Sequence, residues 1–93
     1  MTDFQVGDKV TWTSQSGGST KTKTGVVREV IRSTYELWYT RWEYKSAKTH
    51  MLMFDGNTLH GSVVYFVEVQ AGPKAKPRLY MPYPNKLRLV EAE

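Results

Sequence analysis

Towards the end of the chain, basic side chains alternate with tyrosines in a pattern that could bind a polyanion. Between residues 71 and 90 the cations are Lys74, Lys76, Arg78, Lys86 and Arg88, with no acid among them. Tyr80 and Tyr83 lie between these cations. A nucleic-acid surface needs both residue types, because cations replace the counterions of phosphates and flat rings stack on exposed bases. The pattern therefore predicts a basic face that binds a nucleic acid or a nucleoprotein.

A second group of cations precedes this region. Lys21 and Lys23 alternate with threonines in a predicted strand and extend the basic face if the two strands are neighbours. The net charge is +4, which also fits a rim of lysines that only keeps a small domain soluble. Both interpretations remain open, and no residue pattern indicates that particular bases are read.

Catalytic patterns are missing from the chain. His50, Asp55 and His60 are spaced by five residues, which matches no standard metal-ligand motif. The glycine pair at 17 and 18 lacks the spacing of a phosphate-binding loop, and the serines around it lack a nucleophile elbow. The chain has no cysteine, which excludes disulfides and thiolate ligands. We therefore expect no enzyme, no metal and no cofactor.

The first third of the chain is predicted to form a β-hairpin. Val6, Val10 and Trp12 have even spacing and fall on one side of an extended strand. A polar loop with two glycines, residues 14–20, then returns the chain antiparallel. The next strand is long and rich in β-branched residues, and Gly25 is its predicted bulge or bend.

Further strands follow nearer the end of the chain. The segment SVVYFVEVQ, residues 62–70, is apolar on both faces, so both faces should be covered. The loop AGPKAKP leads to a short strand at 78–81, and a turn with two prolines leads to a closing strand at 86–90. In a small barrel this last strand pairs with the first.

The segment between these strands, residues 33–61, has two competing periods. Tyr35, Trp38, Tyr39 and Trp42 follow helical spacing, while alternate residues from 36 to 44 would also share one face of a strand. Ser33 and Glu36 have the spacing of a helix N-terminal capping box. We favour a helix at about 34–47, inserted between barrel strands and covering the second face of segment 62–70.

The aromatic side chains of this insert allow three interpretations. The rings are those of Tyr35, Trp38, Tyr39, Trp42 and Tyr44. Packing in the core is expected for at least half of them. A second interpretation is a protein-binding patch, because Trp, Tyr and Arg dominate interface hot spots and Arg41 lies among the rings. A third is an aromatic cage for a methylated lysine or arginine.

Four segments together resemble a known family: VGDKVTW, SGGSTKTKTGVVREVI, YFVEV and AKPRLYMPYPNKLRLV. They are similar to small bacterial and phage proteins with a Tudor-like, SH3-like barrel, the group called hypervirulence-associated Tudor domains. The resemblance implies a mostly β fold, a small antiparallel barrel of five to six strands. The resemblance leaves out the middle of the chain and assigns no activity to particular residues. We expect a single domain over residues 1–93, with the insert at about 33–61.

Two functions are consistent with these features. The first is non-enzymatic binding of nucleic acid or nucleoprotein through the basic face. The alternative is a small protein that binds and modulates a host protein, such as a phage-encoded regulator or anti-defence protein, through the insert at Tyr35, Trp38, Tyr39, Arg41 and Trp42. The start of the chain lacks the features of a signal peptide and no apolar run reaches the ~18 residues of a membrane span, so we expect a cytoplasmic protein without a membrane partner.

Overall fold

A computed structural model of the chain describes residues 4–16, 18–54, 63–70 and 72–90, and for residues 14–16 it describes the backbone alone. The described residues form six strands, one α-helix and one short 3₁₀ turn. In chain order these are β1 (Lys9–Ser16), β2 (Ser19–Ile31), α1 (Thr34–Ala47), β3 (Met51–Leu52), β4 (Val64–Val69), β5 (Arg78–Tyr80), the 3₁₀ turn (Pro84–Lys86) and β6 (Arg88–Leu89).

The strands form one sheet in the order β3-β5-β4-β2-β1-β6. The last strand pairs with the first, as predicted, with Val10 opposite Leu89. All pairs are antiparallel except β3 with β5, because the chain direction reverses from β3 to β4 and again from β4 to β5. Within the described residues β3 and β6 are the two edges and the sheet is not closed. The fold is therefore mostly β, but it is a mixed open sheet where a closed antiparallel barrel was expected.

The sheet is strongly curled around a first hydrophobic core. Strands β2 and β4 separate Trp12 on β1 from Tyr80 on β5, a distance of about 14 Å in a flat sheet. The two ring centroids are nevertheless only 5.6 Å apart. The buried residues of this core are Phe4, Val10, Trp12, Val27, Tyr65, Val67 and Leu87. Trp12 is thus a core residue, as expected, whereas Val6 lies in the turn before β1 and is 65% exposed.

The bulge in β2 does not lie at Gly25, where it was predicted. The register with β4 shifts between Val27 and Glu29, so the bulge is centred beside Arg28. Gly25 stays in register opposite Val10. A Cβ atom at Gly25 would lie 2.4 Å from the carbonyl oxygen of Glu68. The glycine is therefore required for the close approach of β4, and the irregularity at Arg28 accommodates the bend.

A second core covers the other face of β4. Leu37 of α1 is fully buried and joins Ile31, Val64, Phe66 and Leu79. Partly buried side chains surround this group: Tyr44, Leu52, Phe54 and Met81. The insert thus covers the second apolar face of β4, as predicted. The insert beyond Phe54 lies outside the described residues.

Helix α1 has a side-chain cap at its start and a left-handed residue at its end. The Oγ of Ser33 accepts a hydrogen bond from the backbone N–H of Glu36 at 3.1 Å, and it lies 3.3 Å from the Oε1 of the same residue. These contacts satisfy a backbone donor that would otherwise have no partner. The helix ends at Lys48, whose φ of 58° is left-handed and whose N–H donates to the Tyr44 carbonyl at 3.2 Å. The helical period therefore prevails over the strand period in this segment.

The aromatic stripe on α1 faces solvent, which contradicts the expected packing of at least half of the rings in the core. We use the name aromatic stripe for Tyr35, Trp38, Tyr39 and Trp42. These four side chains are between 46% and 73% exposed. Only Tyr44 of the five rings packs against a core. Leu37 lies on the opposite side of the helix, so the face that carries this leucine is the one that packs.

We predict that Leu37→Ala lowers the free energy of unfolding by about 2–5 kcal/mol, because it leaves a cavity under α1. Trp38→Ala, on the exposed stripe, should change it by about 0.5 kcal/mol or less. Urea unfolding followed by circular dichroism measures both. A loss for Trp38→Ala as large as that for Leu37→Ala would contradict this assignment of the packed face.

Candidate functional site

Tyr44 joins the last turn of α1 to the sheet. Its hydroxyl lies 2.8 Å from the Oε2 of Glu29 on β2 and donates to it. Its ring packs edge to face against Phe66 of β4, at 6.0 Å, and against His50, at 5.1 Å. Burial, the hydrogen bond to Glu29 and the charge of that carboxylate raise the pKa of Tyr44 to about 12, with Arg28 opposing them. Tyr44 thereby holds α1, β2 and the segment before β3 in a defined arrangement.

His50 is held at both ring nitrogens. Its Nε2 lies 2.5 Å from the Oε1 of Glu68, and its Nδ1 lies 2.9 Å from the hydroxyl of Thr49. The Nε of Arg28 approaches the same Glu68 oxygen at 3.8 Å. These contacts fix the segment between α1 and β3 against the sheet. In the described part of the chain, no group of three or more potential ligands could hold a metal ion, and Asp55 and His60 lie outside that part.

A basic cleft opens between the end of α1, the start of β3 and the loop before β5. Its volume is about 350 Å³. We use the name basic cleft for this opening and the described residues that line it: Arg41, Lys45, Lys48, His50, Leu52, Phe54 and Lys76. Four of these described residues are cations and none of them is an acid. Leu52 and Phe54 supply an apolar wall, and the Phe54 ring packs on Phe66 at 5.0 Å. The cleft therefore combines a positive rim with an apolar surface.

Arg41 contributes an unusual group to this cleft. Its Nε is buried and has no hydrogen-bond partner among the described atoms. A buried N–H without an acceptor is costly, so such a group in a folded protein calls for an explanation. This Nε has almost no accessible surface, so an anion bound in the cleft would supply the acceptor only after the guanidinium turns towards it.

The aromatic stripe borders the basic cleft. Residues three or four apart on a helix are surface neighbours, which places Trp38 beside Arg41 and Trp42 beside Lys45. The Tyr35 and Tyr39 rings are stacked at 6.4 Å, and Tyr39 lies 6.3 Å from Trp42. Cations and exposed rings thus adjoin along one side of α1.

A second hollow lies over the hairpin, and its volume of about 1070 Å³ is larger than that of the basic cleft. Its described lining includes four threonines and two cations: Thr11, Trp12, Thr13, Thr20, Thr22, Asn85, Lys86 and Arg88. Threonine and asparagine side chains donate to phosphate oxygens in nucleic-acid complexes. This hollow contains two of the predicted basic residues, and Lys86 also lies over the Tyr83 ring at 5.7 Å.

The nine residues of the predicted basic face do not form one group. Lys76 lines the basic cleft, while Lys86 and Arg88 line the hollow with Tyr83 nearby. Lys23 lies over the ring of Tyr80 at 5.6 Å. The remaining members, Lys21, Lys74 and Arg78, are exposed. Strands alternate their side chains, so Lys21 and Lys23 leave β2 on the side opposite Thr20 and Thr22 and do not extend the group at Lys86 and Arg88.

Sequence reasoning missed Lys45 and Lys48 as members of a binding surface. With Arg41 they follow the helical spacing i, i+4 and i+7, which was the available signal. Their proximity to Lys76 has no counterpart in the sequence, because it arises from the way the loop before β5 meets the end of α1.

No family model, no curated protein and no solved structure matches the chain. In the described part of the chain, no helix has the length and apolar character needed to cross a membrane.

We predict that the free energy of unfolding falls between about pH 10 and pH 12, because the raised pKa of Tyr44 favours its neutral form in the folded state. Below pH 10 this contribution is complete, and it is lost as the pH rises through the folded-state value. Tyr44→Phe should remove about 1 kcal/mol at neutral pH and flatten the decline. Urea unfolding at several pH values measures this, with the exposed Tyr35→Phe as control. An equal decline in Tyr44→Phe and wild type would contradict the role of Tyr44.

Proposed function

We propose that the protein is a non-enzymatic module that binds nucleic acid or nucleoprotein, and that its curled sheet is a variant of the Tudor-like, SH3-like barrel. The observation that carries the functional proposal is the basic cleft beside the exposed aromatic stripe. The strand pairing of β6 with β1 and the resemblance of the hairpin support the fold assignment.

The charge of the basic cleft supports a polyanionic partner. Arg41, Lys45 and Lys48 at the end of α1 and Lys76 in the loop before β5 converge on one opening, and none of its described lining residues is an acid. Bringing like charges together is unfavourable, and a bound polyanion offsets that repulsion. Each phosphate that they neutralise releases counterions, so binding weakens as the salt concentration rises.

The aromatic stripe supplies the second component. Base stacking on an exposed ring contributes about 1–3 kcal/mol per base and tolerates any sequence. Burying Trp38 and Trp42 against a partner also removes a large apolar surface from water. Because cations and rings contact backbone and base faces, the interface binds exposed bases without reading sequence.

We predict that Lys45→Glu combined with Lys76→Glu weakens oligonucleotide binding by tenfold or more and reduces the salt slope by about two. The measurement is a fluorescence titration with labelled single- and double-stranded oligonucleotides of mixed sequence at two salt concentrations. The matched control is Lys9→Glu with Lys21→Glu, which makes the same change of net charge at exposed positions outside the cleft. Equal losses in both double variants would attribute binding to net charge and contradict the cleft.

The second candidate function is binding and modulation of another protein, as by a phage-encoded regulator of a host protein. The stripe favours it, because exposed Trp and Tyr side chains are typical of the centres of protein interfaces. In this alternative the rings of α1 form the interface and the cleft cations lie at its rim.

The stripe variants separate the two candidates. For nucleic-acid binding, Trp38→Ala with Trp42→Ala should weaken single-stranded oligonucleotide binding by roughly thirtyfold or more, because two stacking rings are lost. The salt slope should stay unchanged, because stacking displaces no counterions. Thermal unfolding checks that the variant is folded. Unchanged oligonucleotide affinity, together with loss of a protein partner in a pull-down from host extract, would favour the second candidate.

A further inference from the structure

We infer that the basic cleft is a site for a single phosphate monoester attached to a flat ring, that is, a nucleotide. The two sources of this chemistry are the phosphorylated end of a nucleic-acid strand and a free nucleotide. The first source rests on the proposed function, and the second does not.

The charge of the cleft exceeds what an internal phosphate requires. A phosphodiester within a strand carries one negative charge, whereas a phosphate monoester carries about −1.5 to −2 at neutral pH and has three acceptor oxygens. The cleft presents four cations, from Arg41 to Lys76, around one opening. A terminal phosphate uses more of these donors than an internal one, so the cleft favours the monoester.

Arg41 is the residue best suited to select this group. A guanidinium binds a phosphate through two parallel N–H donors, and Nε is one of the donors available for such a pair. In α1 this Nε is buried without a partner. A turn of the guanidinium towards a bound phosphate gives it an acceptor and relieves that cost. Lysine offers a point charge in place of this planar pair, so it should replace Arg41 only in part.

The dimensions and walls of the cleft fit a nucleotide. Its volume of about 350 Å³ lies near the lower end of small-molecule sites, about 300–1,000 Å³. Leu52 and Phe54 form an apolar wall next to the cations. Phe66 supports the Phe54 ring from the core side. A base packed on this wall would place its phosphate among the cations, and the bases that follow in a strand would reach the stripe at Trp38 and Trp42.

The test is a set of direct titrations of the whole chain with defined probes. The probes are a short single-stranded oligonucleotide with a 5′-phosphate, the same with a 3′-phosphate, the same with hydroxyls at both ends, a nucleoside monophosphate, inorganic phosphate and a phosphoserine peptide. We expect a phosphorylated end to bind on the order of tenfold tighter than the hydroxyl form. Arg41→Gln should abolish this preference, and it should weaken binding of the hydroxyl form by a smaller factor, because the cleft loses one of its cations.

Two further variants keep the test decisive. Arg41→Lys preserves the charge and should keep only part of the preference, so a full preference in that variant would overturn the role of the guanidinium. Lys76→Gln lies at an exposed position and is the alternative if Arg41→Gln does not fold. It should also reduce the preference for a phosphorylated end.

The outcomes distinguish this inference from the proposed function. Equal affinity for phosphorylated and hydroxyl oligonucleotides would overturn the monoester site and leave nucleic-acid binding intact. Binding of the nucleoside monophosphate without binding of any oligonucleotide would support the site and contradict the proposed function. Tighter binding of the phosphoserine peptide or of inorganic phosphate than of the nucleotide would overturn the assignment of a nucleotide. Failure of every probe to bind would overturn both.

Discussion

The apolar character of both faces of β4 is the constraint on which this structure depends. Val67 and Tyr65 point into one core, and Val64 and Phe66 point into the other. A short strand with apolar side chains on both faces is stable only if both faces are removed from water. The sheet meets the first requirement by curling until Trp12 contacts Tyr80. Helix α1 meets the second by placing Leu37 on the opposite face.

Many side chains of α1 are exposed because few of its residues pack against the sheet. One fully buried leucine and the partly buried Tyr44 attach the helix, so most of its circumference remains in contact with solvent. The side chains that stay exposed include large rings and cations. They lie next to each other because residues three and four apart are neighbours on a helix surface. A helix with a broader apolar contact would have buried the same rings and left no such surface.

The charged residues of this region fall into two sets that differ in their contacts. The acids Glu29 and Glu68 are engaged by Tyr44, His50 and Arg28, in contacts that fasten the end of α1 to the sheet. The cations of the basic cleft lie beyond these contacts, and no acid is present among the described residues that line the cleft with them. The polar contacts that stabilise the helix thus also leave a concentrated positive surface beside the aromatic stripe.

The sequence by itself determined the features that depend on neighbours a few residues apart. The spacing of Ser33 and Glu36 predicted the start of α1, and the two-sided apolar run predicted β4 as a covered strand, because capping and alternation are local. Tertiary structure decided which face of α1 packs, that β2 bends at Arg28, and that the sheet stays open with one parallel pair. It also decided that Lys76 joins Arg41 while Lys86 and Arg88 line a separate hollow. These outcomes depend on how strands and helix meet across long separations in the chain, and neither periodicity nor composition specifies that register.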